Sequence, residues 1–178
     1  HTVQALVDNS QGQYKGLLET HMGRLKEILS SPAMIVDIQA GGGKTETLSP
    51  VLNVAIKELA GTDINHVANI LPDYSKAKQA FKAMAENLGG EKLENNDFKT
   101  PFTEGKVKIG DKEHRIVLIN EVPSVADAKF EAAIKNADSI YLDIYAAQSL
   151  KMNATLAGER NLNSKDQSVY SELTQKSW

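Results

Sequence analysis

The stretch Ile35-Val36-Asp37-Ile38-Gln39-Ala40-Gly41-Gly42-Gly43-Lys44-Thr45 decides how this chain is read. A short apolar run ends in three glycines, then Lys-Thr, and a helical pattern follows. That is the layout of a phosphate-binding loop set between a buried strand and a helix. The glycines let the backbone turn tightly and aim several N–H groups at one point. The helix N-terminus behind them contributes the positive end of its dipole. In this reading Ala40, Gly41, Gly42, Gly43, Lys44 and Thr45 hold the phosphates of a nucleotide. Lys44 acts as a point charge on the terminal phosphates, and the Thr45 hydroxyl is offered to Mg²⁺. The strict pattern G-x-x-x-x-G-K-[ST] asks for glycine where Ile38 stands, and Gly41-x-Gly43-Lys44-Thr45 remains. The plainer alternative is a glycine-rich turn with an exposed lysine; the strand-to-helix context favours the loop.

Bulk properties bound the remaining possibilities. With 178 residues, 41% of them hydrophobic and 24% charged, the chain is expected to fold as one domain with a sizeable core. A net charge of −3 gives no support to a globally basic nucleic-acid binder and leaves a local basic patch open. The absence of cysteine excludes disulfides and thiolate metal sites. No apolar run has membrane-spanning length and the start is not a secretion signal, so the expected location is cytoplasmic. The chain opens on His1 rather than Met, as a processed product or an excised domain would.

Outward from the glycine run, residues 1–31 read as mostly helical, with Leu17, Leu18, His21, Leu25, Ile28 and Leu29 on one face and Pro32 ending the segment. Ala33 to Gln39 is the first core strand. Leu48, Val51, Leu52, Ala55, Ile56 and Leu59 mark a helix with Pro50 in its first turns and Gly61 at its close. Asn65 to Leu71 is a second strand, with His66 in a structural or surface role. Ser75 is the expected cap of a helix carrying Ala77, Ala80, Phe81, Met84 and Leu88, which Gly89-Gly90 ends. Residues 91–104 read as a loop. A hairpin then turns at Gly110-Asp111 between 106–109 and 114–119, with His114 exposed beside the turn. Ser124 is the expected cap of a helix through Phe130, Ala133, Ile134 and Ala137. Ser139 to Asp143 is a short buried strand ending in a carboxylate, and residues 144–178 turn polar.

This alternation predicts an α/β fold: a three-layer sandwich with a mostly parallel sheet covered on both faces. Right-handed crossovers put the strand C-termini on one edge, together with the glycine loop, Pro72-Asp73-Tyr74, Glu121 and Asp143. Ligands of open α/β sheets bind at that edge. The expected division is an N-terminal helical segment at 1–32 packing on the core, a nucleotide-binding core at 33–158 and a C-terminal polar segment at 159–178.

These residues resemble a known family. Ile38-Gln39-Ala40-Gly41-Gly42-Gly43-Lys44-Thr45 is similar to motif I of superfamily 2 helicases and of the SecA protein-translocation motor. Pro72-Asp73-Tyr74-Ser75-Lys76-Ala77-Lys78-Gln79 resembles motif Ia, P-T-R-E-L-A-x-Q, in its proline, alanine and glutamine, and Asp73-Tyr74 resembles the N-D-Y of SecA. Ile140-Tyr141-Leu142-Asp143 is similar to the strand that ends in motif II, and Asn153-Ala154-Thr155 to the S-A-T of motif III. The resemblance spans residues 35 to 155. It implies the first RecA-like P-loop motor domain, with ATP and Mg²⁺ as ligands. It further implies a second RecA-like domain in the parent protein and a nucleic-acid or polypeptide track. The chain departs from the family at Ile144, where motif II carries the Glu that positions water, and Asn153 follows Asp143 by only ten residues.

The chemistry implied is phosphoryl transfer, which rests on positioning and charge neutralisation. Thr45 and Asp143 are the candidate metal ligands; Asp143 is equally well placed in the sequence to cap a helix. Lys44 and Glu121 are the candidate catalytic residues, Glu121 as a replacement for the missing motif II carboxylate or else as an ordinary loop carboxylate. The reading is therefore a nucleotide-binding motor domain, an ATPase if hydrolysis survives. The alternative is an interaction module that kept the α/β frame and lost catalysis. A small kinase ranks below both, because only Arg160 follows Asp143 to serve an arginine-bearing lid. Lys76 and Lys78 read as a solvated helix face.

Overall fold

The strand Ser139–Asp143 (SIYLD) is apolar at its three central positions and buried over its first four, which marks a strand covered on both faces. It is the centre of a computed structural model that describes residues 46, 48–88, 98–124 and 127–159. The helix expected before Pro32, the strand 33–39, the loop residues Ala40, Gly41, Gly42, Gly43, Lys44 and Thr45, the closing glycines 89–90 and the tail from 160 onward lie outside the described residues.

In chain order the described elements are α1 (Ser49–Ala60), β1 (Val67–Leu71), α2 (Tyr74–Asn87), β2 (Phe102–Ile109), β3 (Lys112–Ile119), α3 (Ala128–Asn136), β4 (Ser139–Asp143) and α4 (Ile144–Glu159). The four strands form one sheet in the order β1-β4-β3-β2. β4 is parallel to β1, with Val67 opposite Ser139 and Leu71 opposite Asp143. It is also parallel to β3, with Ile116 opposite Ser139 and Ile119 opposite Leu142. β2 and β3 form the antiparallel hairpin, Phe102 opposite Ile119 and Ile109 opposite Lys112. The sheet is thus mostly parallel and open, as the alternation of elements predicted.

Local chemistry explains where the elements begin and end. Pro50 sits in the first turn of α1, where its missing N–H is no loss. Gly61 closes the helix at φ 57°, donating its N–H to the Lys57 carbonyl; no atom crowds its missing Cβ, so backbone conformation alone calls for glycine. Gly110 takes φ 60° at the first hairpin turn position. The caps differ from expectation. Asp73, not Ser75, caps α2 by accepting from the Lys76 N–H at 2.8 Å. Asp127, not Ser124, caps α3 by accepting from the Lys129 N–H at 2.9 Å. In each pair the carboxylate sits at the extended residue just before the helix, where an N-cap oxygen reaches the exposed N–H groups. The segment 102–104, expected within a loop, is the first part of β2.

Two clusters cover the two faces. On one, Val51, Val54 and Ala55 of α1 and Ala77, Ala80, Phe81, Met84 and Ala85 of α2 pack on Val107, Ile116, Leu118 and Tyr141. On the other, Phe130, Ala133 and Ile134 of α3 and Ala146, Ala147 and Leu150 of α4 pack on Val117, Ile119, Ile140 and Leu142. The alanines of α2 bring the helix close enough for Phe81 to meet Tyr141 edge-on at 6.1 Å. The Tyr141 hydroxyl accepts from Asn53 at 3.0 Å, and burial pushes its phenol far above the usual range, so it stays neutral.

The face of α3 follows from handedness. The chain leaves β1 through α2 for β2 at the far edge, turns back along β3, and returns from β3 to β4 through α3. The β3–α3–β4 connection joins parallel strands, where a right-handed crossover sets the face, and α2 and α3 lie on opposite faces.

Candidate functional site

The same topology locates the candidate site. β1, β3 and β4 are parallel, so their C-terminal ends share one edge. At that edge β1 continues into α2 on one face, and its neighbour β4 continues into α4 on the other. Adjacent strands whose connections part to opposite faces leave a crevice between them, the place where open α/β sheets bind ligands. Pro72-Asp73-Tyr74 leads from β1 into α2 at this edge, and Asp143-Ile144 leads from β4 into α4.

Asp143 is half-buried at the end of β4, and its Oδ1 accepts from the Ala146 N–H at 2.8 Å. Of its two sequence readings, the helix cap is therefore realised. A carboxylate has four lone-pair directions, so this bond leaves capacity for a cation. Across the crevice, burial first and the Asp143 charge second raise the Tyr74 hydroxyl above the ordinary phenol range. Tyr74 donates to the Phe98 carbonyl at 3.3 Å, which ties the crevice to the segment entering β2.

Glu121 is exposed two residues beyond β3, on the same edge as Asp143 and next to it in strand order. Its backbone N–H and that of Asn120 both donate to the Pro101 carbonyl, at 2.9 and 2.8 Å, so the backbone that carries it is fixed. Ile144, standing where motif II has its glutamate, is the first residue of α4 and 45% exposed, with no group able to orient water. Ala40, Gly41, Gly42, Gly43, Lys44 and Thr45 lie outside the described residues. Among the described residues no three His, Cys, Asp or Glu side chains gather into a metal-holding group. Lys78 and Lys82 both approach the Phe98 ring, at 5.5 and 5.7 Å from its centroid, so of the two lysines read as a solvated face Lys78 covers an aromatic, while Lys76 is exposed.

Two polar residues in the described part, His114 and Asn53, took places their types did not announce, and His66 took the structural one of its two expected roles. His114 was expected in solvent; it is buried, with Nε2 2.9 Å from the Ser139 hydroxyl. It is two residues inside β3 and points to the α1–α2 face, the face of Ile116 and Leu118, so strand alternation was the signal that could have placed it. His66, expected in a structural or surface role, is buried with Nδ1 donating to the Ala137 carbonyl at 2.7 Å. Asn53 on α1 is 2% exposed because it serves Tyr141. No described helix is long and apolar enough to cross a membrane. Comparison with protein-family models, curated proteins and solved structures finds no match to this chain.

Proposed function

We propose that the chain is an ATP-binding domain of the P-loop type, similar in plan to the first RecA-like motor domain of superfamily 2 helicases and SecA, with a degenerate hydrolysis motif. The observation that carries the reading is the Gly41-Gly42-Gly43-Lys44-Thr45 run directly ahead of α1. The crevice between β1 and β4, with an acidic residue at the end of each strand, supports it, because that is where such a sheet takes a ligand.

In this reading the loop amides and Lys44 bind the phosphates, and Thr45 and Asp143 hold Mg²⁺. The bound metal neutralises phosphate charge. Asp143 suits its part: its carboxylate is half-buried and oriented by the Ala146 N–H, so little freedom is lost on meeting a cation. Ile144 brings no carboxylate to order a water molecule, and Glu121 is the only acidic side chain that follows β3 directly on the same edge. Hydrolysis by the isolated chain is accordingly slow or absent. A second RecA-like domain, a nucleic-acid or polypeptide track and a cytoplasmic setting belong to the same proposal.

Calorimetric titration with Mg-ATP and Mg-ADP tests it. Binding is expected in the wild-type chain, and Lys44→Ala weakens it about tenfold or more, as loss of a charged hydrogen bond does. No binding at millimolar nucleotide, or binding untouched by Lys44→Ala, overturns the proposal. The exposed Ile144 also favours a second reading, an interaction module without catalysis; a robust ATPase rate from the purified chain rules that reading out.

A further inference from the structure

At the sheet edge opposite the crevice, three residues that join α3 to β4 are held from several sides. Ala137 O accepts from His66 Nδ1 at 2.7 Å. Asp138 exchanges backbone and side-chain bonds with Arg115, its N–H donating to the Arg115 carbonyl at 2.8 Å and its Oδ2 accepting from the Arg115 N–H at 2.9 Å. Asp138 O accepts from the Val67 N–H at 2.9 Å, which starts the β1–β4 ladder. Lys57 Nζ lies 3.6 Å from Asp138 Oδ1 and donates to the carbonyls of Ile64 and Asn65. Ser139, fully buried, meets His114 Nε2 at 2.9 Å, and His114 itself is only 7% exposed.

We propose that the buried His114–Ser139 pair is an acid-sensitive latch: with a neutral imidazole it holds the Ala137–Ser139 junction against β3, and protonation of the ring releases that junction. The physics lies in the charge, not in the bond. A serine hydroxyl both donates and accepts, so it can turn to serve a protonated ring. What the site lacks is solvation for an imidazolium. Val107 of β2 lies opposite His114 in the ladder and offers nothing polar. The charged groups nearby are Asp138 at the start of β4 and Lys57 of α1. Glu113 and Arg115 pair with each other at 3.1 Å on the other face of β3, where Lys106 of β2 joins Glu113 at 3.4 Å.

Burial lowers the His114 pKa below its ordinary value of 6.5; the charge of Asp138 offsets part of this, and Lys57 adds to it. The sign follows. Below pH 6.5 the open or unfolded chain binds a proton that the latched state refuses. Stability contributed by the latch is complete above that pH and is lost as pH falls towards the depressed folded value. Because Asp138 also anchors Val67 and Arg115, loss of the latch is felt at the β1–β4 and β3–β4 seams together.

The latch is independent of the nucleotide reading, and its test uses no nucleotide. The His114 ring is titrated by NMR in the full chain while backbone amide exchange is followed between pH 7 and pH 5, corrected for intrinsic rate. The His114 midpoint is expected below that of an exposed histidine. Amides of Val67, Arg115 and Asp138 are expected to exchange faster at the lower pH than at pH 7. His114→Gln keeps a polar partner for Ser139 without a titrating proton, and it is expected to remove this acceleration. A His114 midpoint at or above that of an exposed histidine overturns the proposal. So does equal acceleration in wild type and His114→Gln. If the variant does not fold, the wild-type titration decides alone.

Discussion

Asp143 carries two loads that substitution can separate. Its Oδ1 caps α4 through the Ala146 N–H, and its charge reaches Tyr74 across the crevice. Asp143→Asn keeps a capping oxygen and removes the charge. It is expected to leave urea stability within about 0.5 kcal/mol of wild type, since Asn and Asp cap about equally well, while the Tyr74 hydroxyl titrates lower than in wild type. Asp143→Ala loses the cap as well and is expected to cost about 1 kcal/mol. Equal losses from both substitutions contradict this division. Gly105 shows the same kind of competition. An added Cβ would lie 3.1 Å from Ile116 Cγ1 and 3.3 Å from Phe81 Cζ. Glycine-to-alanine changes at compatible sites stabilise by about 0.4–1 kcal/mol through the unfolded chain. Both neighbours are fully buried and have nowhere to move. Overpacking at about 1–3 kcal/mol therefore wins, and Gly105→Ala is expected to lower the urea midpoint.

At the scale of elements, α2 ties the sheet together, because Phe81, Met84 and Leu88 are all but fully buried and belong to one cluster with residues of β2, β3 and β4. Its start depends on Asp73, whose side chain accepts from the Lys76 N–H. Asp73→Ala is expected to destabilise the chain by about 1 kcal/mol, and Ser75→Ala to change nothing beyond about 0.5 kcal/mol, by thermal or urea unfolding. The sequence pattern placed this helix correctly because its apolar spacing of three and four is unbroken from Ala77 to Leu88. It misassigned the cap because Asp73 and Ser75 are both capping types two residues apart; only the extended backbone at Asp73 separates them. The β2–β3 hairpin was legible from Gly110-Asp111 between alternating residues. Its first three residues, Phe102-Thr103-Glu104, were not, because one apolar residue followed by two polar ones carries no alternation. His114 was misread for a related reason. Its alternation with Ile116 and Leu118 pointed inward, yet a polar residue near a turn looks like surface until its neighbour on the next strand, Ser139, is known.

For the whole molecule, composition and alternation of elements were enough to predict an α/β sheet covered on both faces, and the two clusters have that arrangement. The shared edge of Asp73, Tyr74, Glu121 and Asp143 was also legible, because it follows from strand direction alone. The adjacency of β1 and β4 was not. It depends on β4 inserting between β1 and β3, a non-sequential order set by long-range pairing. The nucleotide binding proposed above belongs to this edge. Backbone NMR of the full chain during titration with Mg-ATP tests it most directly. Shifts are expected at Asp73, Tyr74, Glu121, Asp143 and Ile144, with Lys112 and Asp138 at the opposite edge unmoved. Shifts confined to the Lys112–Asp138 edge, or no shifts at millimolar nucleotide, would contradict it.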